Sequence, residues 1–386
     1  MRNKKIGIVV SVTIIITAFL TFLATTAFYA FLLNGKSSVG LQSGAKILQT
    51  VSALQKHYYY GIDEEELVDS TLKTMLSSLG DPYTAYMNAD EYKTFAELIT
   101  GTYAGIGTVV LWDDELKAVT VVNPFENSPA EKAGLVKGDK IIEIDGEDFA
   151  NIDFESAVSK MKGERGTNVI LTVLKADSGE KVTIEVTRDE IQIPSVASKL
   201  RGNIGHITIS MFDMHTGEEF SQHLNDMLNQ GAKGIILDLR DNGGGLVESV
   251  TSVSNQLLKK DEMIFYTENK AGKKVVHKST GNGVDLPIAV LINENTASAS
   301  ELLAGALRDN KATPLIGKKS FGKGVVQMTY PLSDGSVIKL TVEKYFTPNG
   351  NDINNNGLKP DYEVGLSSNK DEQYQMAEEV IKNLMS

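Results

Sequence analysis

Between residue 191 and about residue 366, stretches with the period of a strand alternate with stretches with the period of a helix. The strand-like stretches are 204–209, 235–239, 288–292 and 339–345, and the helix-like ones are 218–229, 247–258 and 301–307. Such alternation, with strands that are almost continuously apolar, predicts an α/β layer fold with a largely buried sheet. Residues 371–385 read as a terminal helix.

Residues 99–190 differ. Short β-rich runs occur at 107–111, 119–122, 140–144, 169–174 and 182–186, with short helices near 129–133 and 154–161. Asp145-Gly146 and Ser178-Gly179 are turn signals. Residues 34–98 read as helical, with apolar periodicity over 41–57 and 63–79 and a break at Gly80-Asp81-Pro82.

From Ile6 to Gly35 no residue is charged. The apolar run over 6–33 exceeds the roughly 20 residues a helix needs to cross a bilayer. Arg2, Lys4 and Lys5 precede it, so the positive-inside rule puts residues 1–5 in the cytoplasm. A cleaved signal peptide would end in small residues, whereas this run ends Phe31-Leu32-Leu33. The expectation is an uncleaved, single-pass anchor in a bacterial cell membrane, with the rest of the chain extracytoplasmic.

The net charge is −12, and residues 1–36 carry no acid, so the remainder is more acidic still. This argues against a nucleic-acid partner, which needs a basic face. There is no cysteine, which removes disulfides, thiolate nucleophiles and cysteine zinc sites. The histidines His57, His206, His215, His223 and His277 show no ligand spacing, so neither a metal nor an organic cofactor is expected.

Two motifs carry chemistry. Ser298 stands in Ala-Ser-Ala-Ser-Glu at 297–301, where a strand gives way to a helix. Lys323 stands in Phe-Gly-Lys-Gly at 321–324. A serine hydroxyl needs a base within reach, and a lysine can serve if burial lowers its pKa. The helix start supplies free N–H groups and a positive dipole end, where an oxyanion would be stabilised. Gln327 follows Lys323 at i+4, the same face of a strand, from which its amide could orient the amine. Gly243, Gly244 and Gly245 end an apolar strand and could present further N–H groups. Ser298 with Glu301 also fits a helix capping box, and Lys323 alone could be an ordinary surface lysine.

At these motifs the chain resembles the C-terminal processing peptidases, or tail-specific proteases, serine peptidases with a Ser-Lys dyad. The likeness extends through Asp238-Leu239-Arg240, Tyr345-Phe346-Thr347-Pro348-Asn349-Gly350 and Gly357-Leu358-Lys359-Pro360-Asp361, and less closely through Leu79-Gly80-Asp81-Pro82-Tyr83-Thr84. The resemblance implies a crotonase-like α/β core over 191–366, with Ser298 as nucleophile, Lys323 as general base and Gln327 positioning the lysine. It implies an oxyanion hole from the N–H groups of Gly244 and Ala299, with Asp309 and Glu301 as supports.

Gly101-Thr102-Tyr103-Ala104-Gly105-Ile106-Gly107, Ser128-Pro129-Ala130 and Gly138-Asp139-Lys140-Ile141-Ile142 resemble a PDZ domain of the bacterial, protease-associated type. That implies capture of a protein or peptide C-terminus at Gly105, Ile106 and Gly107, with the peptide added as a strand. In the family a basic residue near here couples the PDZ domain to the active site, and either Lys162 or Arg165 fits. The helical region 34–98 and the terminal helix (367–386) are candidate homodimer contacts. A catalytically silent, anchored PDZ scaffold is the alternative reading. A second alternative is a Ser-His-Asp protease with an attached PDZ domain, against which no serine stands in a nucleophile elbow and no histidine in a triad context.

Overall fold

A computed structural model describes residues 16–26, 38–149, 153–365 and 371–385. Residues 16–26 of the apolar run are helical and the rest of that run lies outside the described residues. Among the described residues no helix is long and apolar enough to cross a membrane. The chain divides into two compact units, Met1–Met75 and Leu76–Ser386. The first contains the helix Ser38–His57 and most of the helix Glu64–Ser77, both predicted from their apolar spacing.

The second unit is built on a six-stranded sheet. Its order is Val196–Arg201, Ile204–Ile209, Gly234–Asp238, Ile288–Ile292, Leu315–Gly317 and Tyr362–Glu363, parallel except for the first pair. Gly234–Asp238 and Ile288–Ile292 are wholly buried, as a strand covered on both faces must be. Ile235, Leu237 and Val290 point to the helices Thr216–Asn229, Val247–Leu257 and Ala299–Lys311. Ile236, Ala289 and Leu291 point the other way, to Tyr374, Ala377 and Ile381 of the helix Glu372–Met385. The terminal helix thus spends its apolar face inside its own chain, which removes that face as a dimer contact. Arg240 fixes the start of this helix by pairing with both Asp238 and Asp371.

A second sheet stands beside the first, in the order Ala85–Met87, Val337–Phe346, Met263–Asn269 and Lys274–Lys278, with Val325–Pro331 also paired to Val337–Phe346. Residues 34–98 are therefore not helical throughout. Ala85–Met87 is a strand of this sheet, and the helix Ala89–Thr100 follows it behind an Asn88–Glu91 capping box.

The PDZ-like segment leaves and rejoins the core through the paired strands Thr102–Gly105 and Asp189–Gln192. Its sheet runs Thr108–Asp113, Ala118–Pro124, Lys140–Ile144, Asn168–Leu174 and Lys181–Thr187, with a short strand Glu147–Asp148 off Lys140–Ile144. It closes on its own core of Val119, Val121, Ile141, Val169 and Leu171.

Candidate active site

Ser298 sits just past the end of the central strand Ile288–Ile292. The turn that carries it is fixed by buried polar groups. Thr296 Oγ1 donates to the Leu239 carbonyl at 2.8 Å, Asn293 Nδ2 to Asp241 at 2.9 Å, and the Ala297 N–H to the Asn242 carbonyl at 3.0 Å. Ser298 is thereby held at φ 57°, ψ −117°. This is not the extended conformation usual for a capping residue, although the Ser298–Glu301 capping box expected from the sequence is present. Positive φ in a residue with a Cβ costs about 1–3 kcal/mol, and it survives only where the surroundings over-determine it. The hydroxyl lies 2.6 Å from the Tyr345 hydroxyl.

Glu301, one turn into the helix, is fully buried. Its Oε2 accepts the N–H groups of Ser298 and Lys323, both at 2.9 Å. Its Oε1 accepts the Gly322 N–H at 2.8 Å and the Ser320 hydroxyl at 2.5 Å. Burial pushes its carboxyl above the ordinary value, against the pull of these four donors. A single carboxylate thus ties the backbone of Ser298 to that of Lys323.

Lys323 lies between two glycines for a steric reason. A Cβ on Gly324 would stand 2.3 Å from Asn354 N, and one on Gly322 would stand 3.0 Å from Gly357 N. The loop packs against residues 354–357 at a distance only glycine permits. Burial depresses the Lys323 amine, the Lys339 charge depresses it further, and Asp81 and Glu301 oppose both. No hydrogen bond joins Lys323 Nζ to Ser298 Oγ. The ammonium group stands 5.0 Å over the Tyr83 ring.

Gly244, at φ 102°, packs so closely that a Cβ would lie 2.8 Å from Ser298 Cβ and 3.0 Å from Ala299 N. The expected oxyanion donors are therefore neighbours. The Gly244 N–H, however, donates to Asn242 Oδ1 at 2.9 Å, whereas the Ala299 N–H has no acceptor among the described residues.

Gln327 departs from its expected geometry. Lys323 precedes the strand Val325–Pro331, and the register shifts between Val326 and Gln327. The i+4 face rule needs both residues in one strand, and Lys323 lies ahead of it. The Gln327 amide donates to the Val325 carbonyl at 3.2 Å and reaches Thr341 Oγ1 at 3.5 Å. Asp309 is buried beside Arg308 Nε at 3.1 Å and accepts the Asn349 N–H at 3.0 Å, away from the serine. Sequence reasoning quoted Tyr83 and Tyr345 inside motifs but gave neither a role, and it missed Lys339. The only signal for the two tyrosines was position within those motifs, and Lys339 stands in none of them.

Against characterised proteins, the carboxy-terminal processing protease CtpA of Bacillus subtilis is 36% identical over 367 residues, which cover 95% of this chain and 78% of the relative. This chain is a carboxy-terminal processing serine peptidase of family S41. The peptidase family S41 description matches residues 203–364, a PDZ domain matches 120–175, and the N-terminal domain of the activating protease CtpB matches 33–91. The Bacillus subtilis protease CtpB is 36% identical over 320 residues, covering 82% of this chain and 66% of that one. A solved structure described as an S41 protease from Bacteroides fragilis superposes with a TM-score of 0.53 at 15% identity, over 85% of this chain and 91% of the other, a likeness of fold.

In the peptidase's PDZ domain, the Ile106 and Gly107 carbonyls accept the Ala130 and Phe125 N–H groups at 2.8 and 3.0 Å. The N–H groups of Ile106 and Gly107 have no acceptor among the described residues. The next strand, Thr108–Asp113, is a sheet edge, with Leu111 62% exposed. Lys162 caps the helix Phe154–Met161, reaches Glu97 Oε2 at 3.1 Å and lies 4.9 Å over the Tyr103 ring. Arg165 pairs with Asp189 at 2.6 Å, inside the PDZ segment. Among the described residues no group of three or more His, Asp or Glu is placed to hold a metal ion.

Proposed function

We propose that the peptidase binds the C-terminus of a protein on its PDZ domain and cleaves through an acyl-enzyme on Ser298, with Lys323 as the general base. The single observation that carries this reading is the Glu301 carboxylate, which accepts the N–H groups of both residues at 2.9 Å. A nucleophile on a strained turn and an amine depressed by burial are thus anchored at one point. The neutral amine takes the Ser298 proton as Oγ bonds the scissile carbonyl carbon. It then returns that proton to the leaving amine.

The arrangement is a resting one. Lys323 Nζ must leave the Tyr83 face to reach Ser298, and the Gly244 N–H must leave Asn242 to join the Ala299 N–H at an oxyanion. The Gln327 amide is close enough in sequence to hold the amine once it arrives.

For the PDZ domain, the free N–H groups at Ile106 and Gly107 beside an open strand edge suit a terminal carboxylate and an added strand. Lys162, not Arg165, is the coupling residue in this reading, because it reaches outside the domain to the helix Ala89–Thr100. Residues 6–33 anchor the peptidase in the cell membrane with the catalytic part outside. We include dimer formation through residues 34–98.

Ser298→Ala and Lys323→Ala should each abolish trimming of a peptide with a small apolar C-terminus while the protein stays folded. Near wild-type turnover in either defeats the dyad. Salt-resistant recovery in the membrane fraction tests the anchor, and release by truncating residues 1–35 is the expected control.

A further inference from the structure

We propose that Tyr345 is a third catalytic residue, whose hydroxyl donates to Ser298 Oγ throughout the reaction. The inference rests on the reading of Ser298 as nucleophile and goes beyond the dyad. The two hydroxyl oxygens are 2.6 Å apart, and the Tyr345 hydroxyl has no other partner among the described residues. Its ring is buried in the main core cluster, 1% exposed. Both partners stand on fixed supports. Ser298 is held by Glu301 and by packing against Gly244. Tyr345 lies in the strand Val337–Phe346, which is paired on both sides. The flexible member of the site is the long Lys323 side chain, so the Ser298–Tyr345 contact persists when the amine moves in. It is not a latch that must open.

Tyr345 also joins the two halves of the site. Its hydroxyl meets Ser298, and its own N–H donates to the Gly324 carbonyl at 3.0 Å, next to Lys323. The direction of the hydroxyl bond follows from the chemistry. Ser298 must pass its only proton to the lysine, so its oxygen accepts from the tyrosine. Burial pushes the Tyr345 phenol far above its ordinary value, so it keeps its proton at neutral pH. The bond fixes one serine rotamer for attack. When the acyl-enzyme breaks down and Ser298 Oγ leaves carbon, the same donor stabilises the departing oxygen.

The test compares Tyr345→Phe with wild type in the full-length peptidase, on one fluorogenic C-terminal peptide. The variant should lower kcat about ten- to hundred-fold, with KM within about two-fold. An unchanged kcat, or a change confined to KM, overturns the proposal, and a raised kcat overturns it in favour of a latch. Because a phenylalanine here could impair folding, a second protein carries 3,5-difluorotyrosine at position 345. Its more acidic phenol should bring the alkaline loss of kcat to lower pH, since an ionised phenol cannot donate. An alkaline limb that does not move overturns the role. Ser298→Ala runs in parallel. Residual turnover there defeats the nucleophile assignment itself, whereas an inert Ser298→Ala beside an unaffected Tyr345→Phe defeats only the present proposal.

Discussion

Glu301→Gln is the sharpest test of how this site is held. The substitution keeps shape and removes one acceptor oxygen. Four donors and no acceptor face the carboxylate, so one pair of donors must confront the new NH2 group. If the NH2 replaces Oε2, the Ser298 and Lys323 N–H groups are both orphaned. If it replaces Oε1, the Ser320 hydroxyl can turn to accept, because its oxygen takes only the Leu358 N–H at 2.7 Å, and Gly322 N–H alone is orphaned. The second arrangement is the cheaper. One buried N–H without a partner costs about 1–3 kcal/mol, and the bonds at the surviving oxygen weaken as the charge is lost. Relief of the burial penalty on the carboxylate offsets part of this. We expect a net loss of about 2 kcal/mol for Glu301→Gln, and about 4 kcal/mol for Glu301→Ala, which orphans every donor. Urea unfolding at neutral pH reads the loss as a lower midpoint at unchanged slope. Turnover should fall in both variants, because Oε2 sets the Ser298 and Lys323 backbones together. A glutamine variant within about 0.5 kcal/mol of wild type and fully active would show that the carboxylate anchors neither residue.

Lys323 is held below the ordinary lysine value, so the folded protein binds fewer protons there than the unfolded chain. Its burial therefore penalises folding below the depressed value, and the penalty disappears as pH rises through that value to the ordinary lysine range. Lys323→Met should be inactive yet more resistant to urea at neutral pH, with the gain shrinking at alkaline pH; a midpoint below wild type at neutral pH refutes this. Lys339→Met removes the like charge that helps depress Lys323, so the acid limb of kcat/KM should move to higher pH. An unmoved limb means that the two amines are not coupled. Gly244→Ala forces a Cβ to 2.8 Å from both Ala297 O and Ser298 Cβ at φ 102°, and should abolish turnover and lower stability by about 1–3 kcal/mol; retained activity removes Gly244 from the site. Lys162→Met breaks the contact with Glu97 and should change the dependence of turnover on a C-terminal PDZ ligand more than PDZ affinity itself, and equal effects on both count against coupling.

What the sequence disclosed and what it hid divide along physical lines. The fully buried strands Gly234–Asp238 and Ile288–Ile292 were readable because cover on both faces demands an unbroken apolar run. The amphipathic helices Thr216–Asn229 and Val247–Leu257 were readable from one apolar face. Met263–Asn269, Lys274–Lys278 and Val325–Pro331 were not, since exposed or mixed faces leave no period to find. Within the site, Ser298 and Lys323 were legible because each stands in a motif whose glycines or helix start serve local geometry. The positions of their functional atoms were not. Asn242 folds its short side chain back onto the Gly244 N–H, a local contact that spacing alone leaves open. Lys323 lies ahead of the strand that carries Gln327, so the face rule of a strand does not relate the two. Lys323 is drawn aside by Tyr83, from the far side of the PDZ segment in sequence, and the Ser298 hydroxyl is held by Tyr345, from a strand of the other sheet. Local periodicity fixes which residues a turn presents. Where a hydroxyl or an amine rests is decided by partners that only the tertiary fold supplies, so spacing alone does not yield the resting geometry.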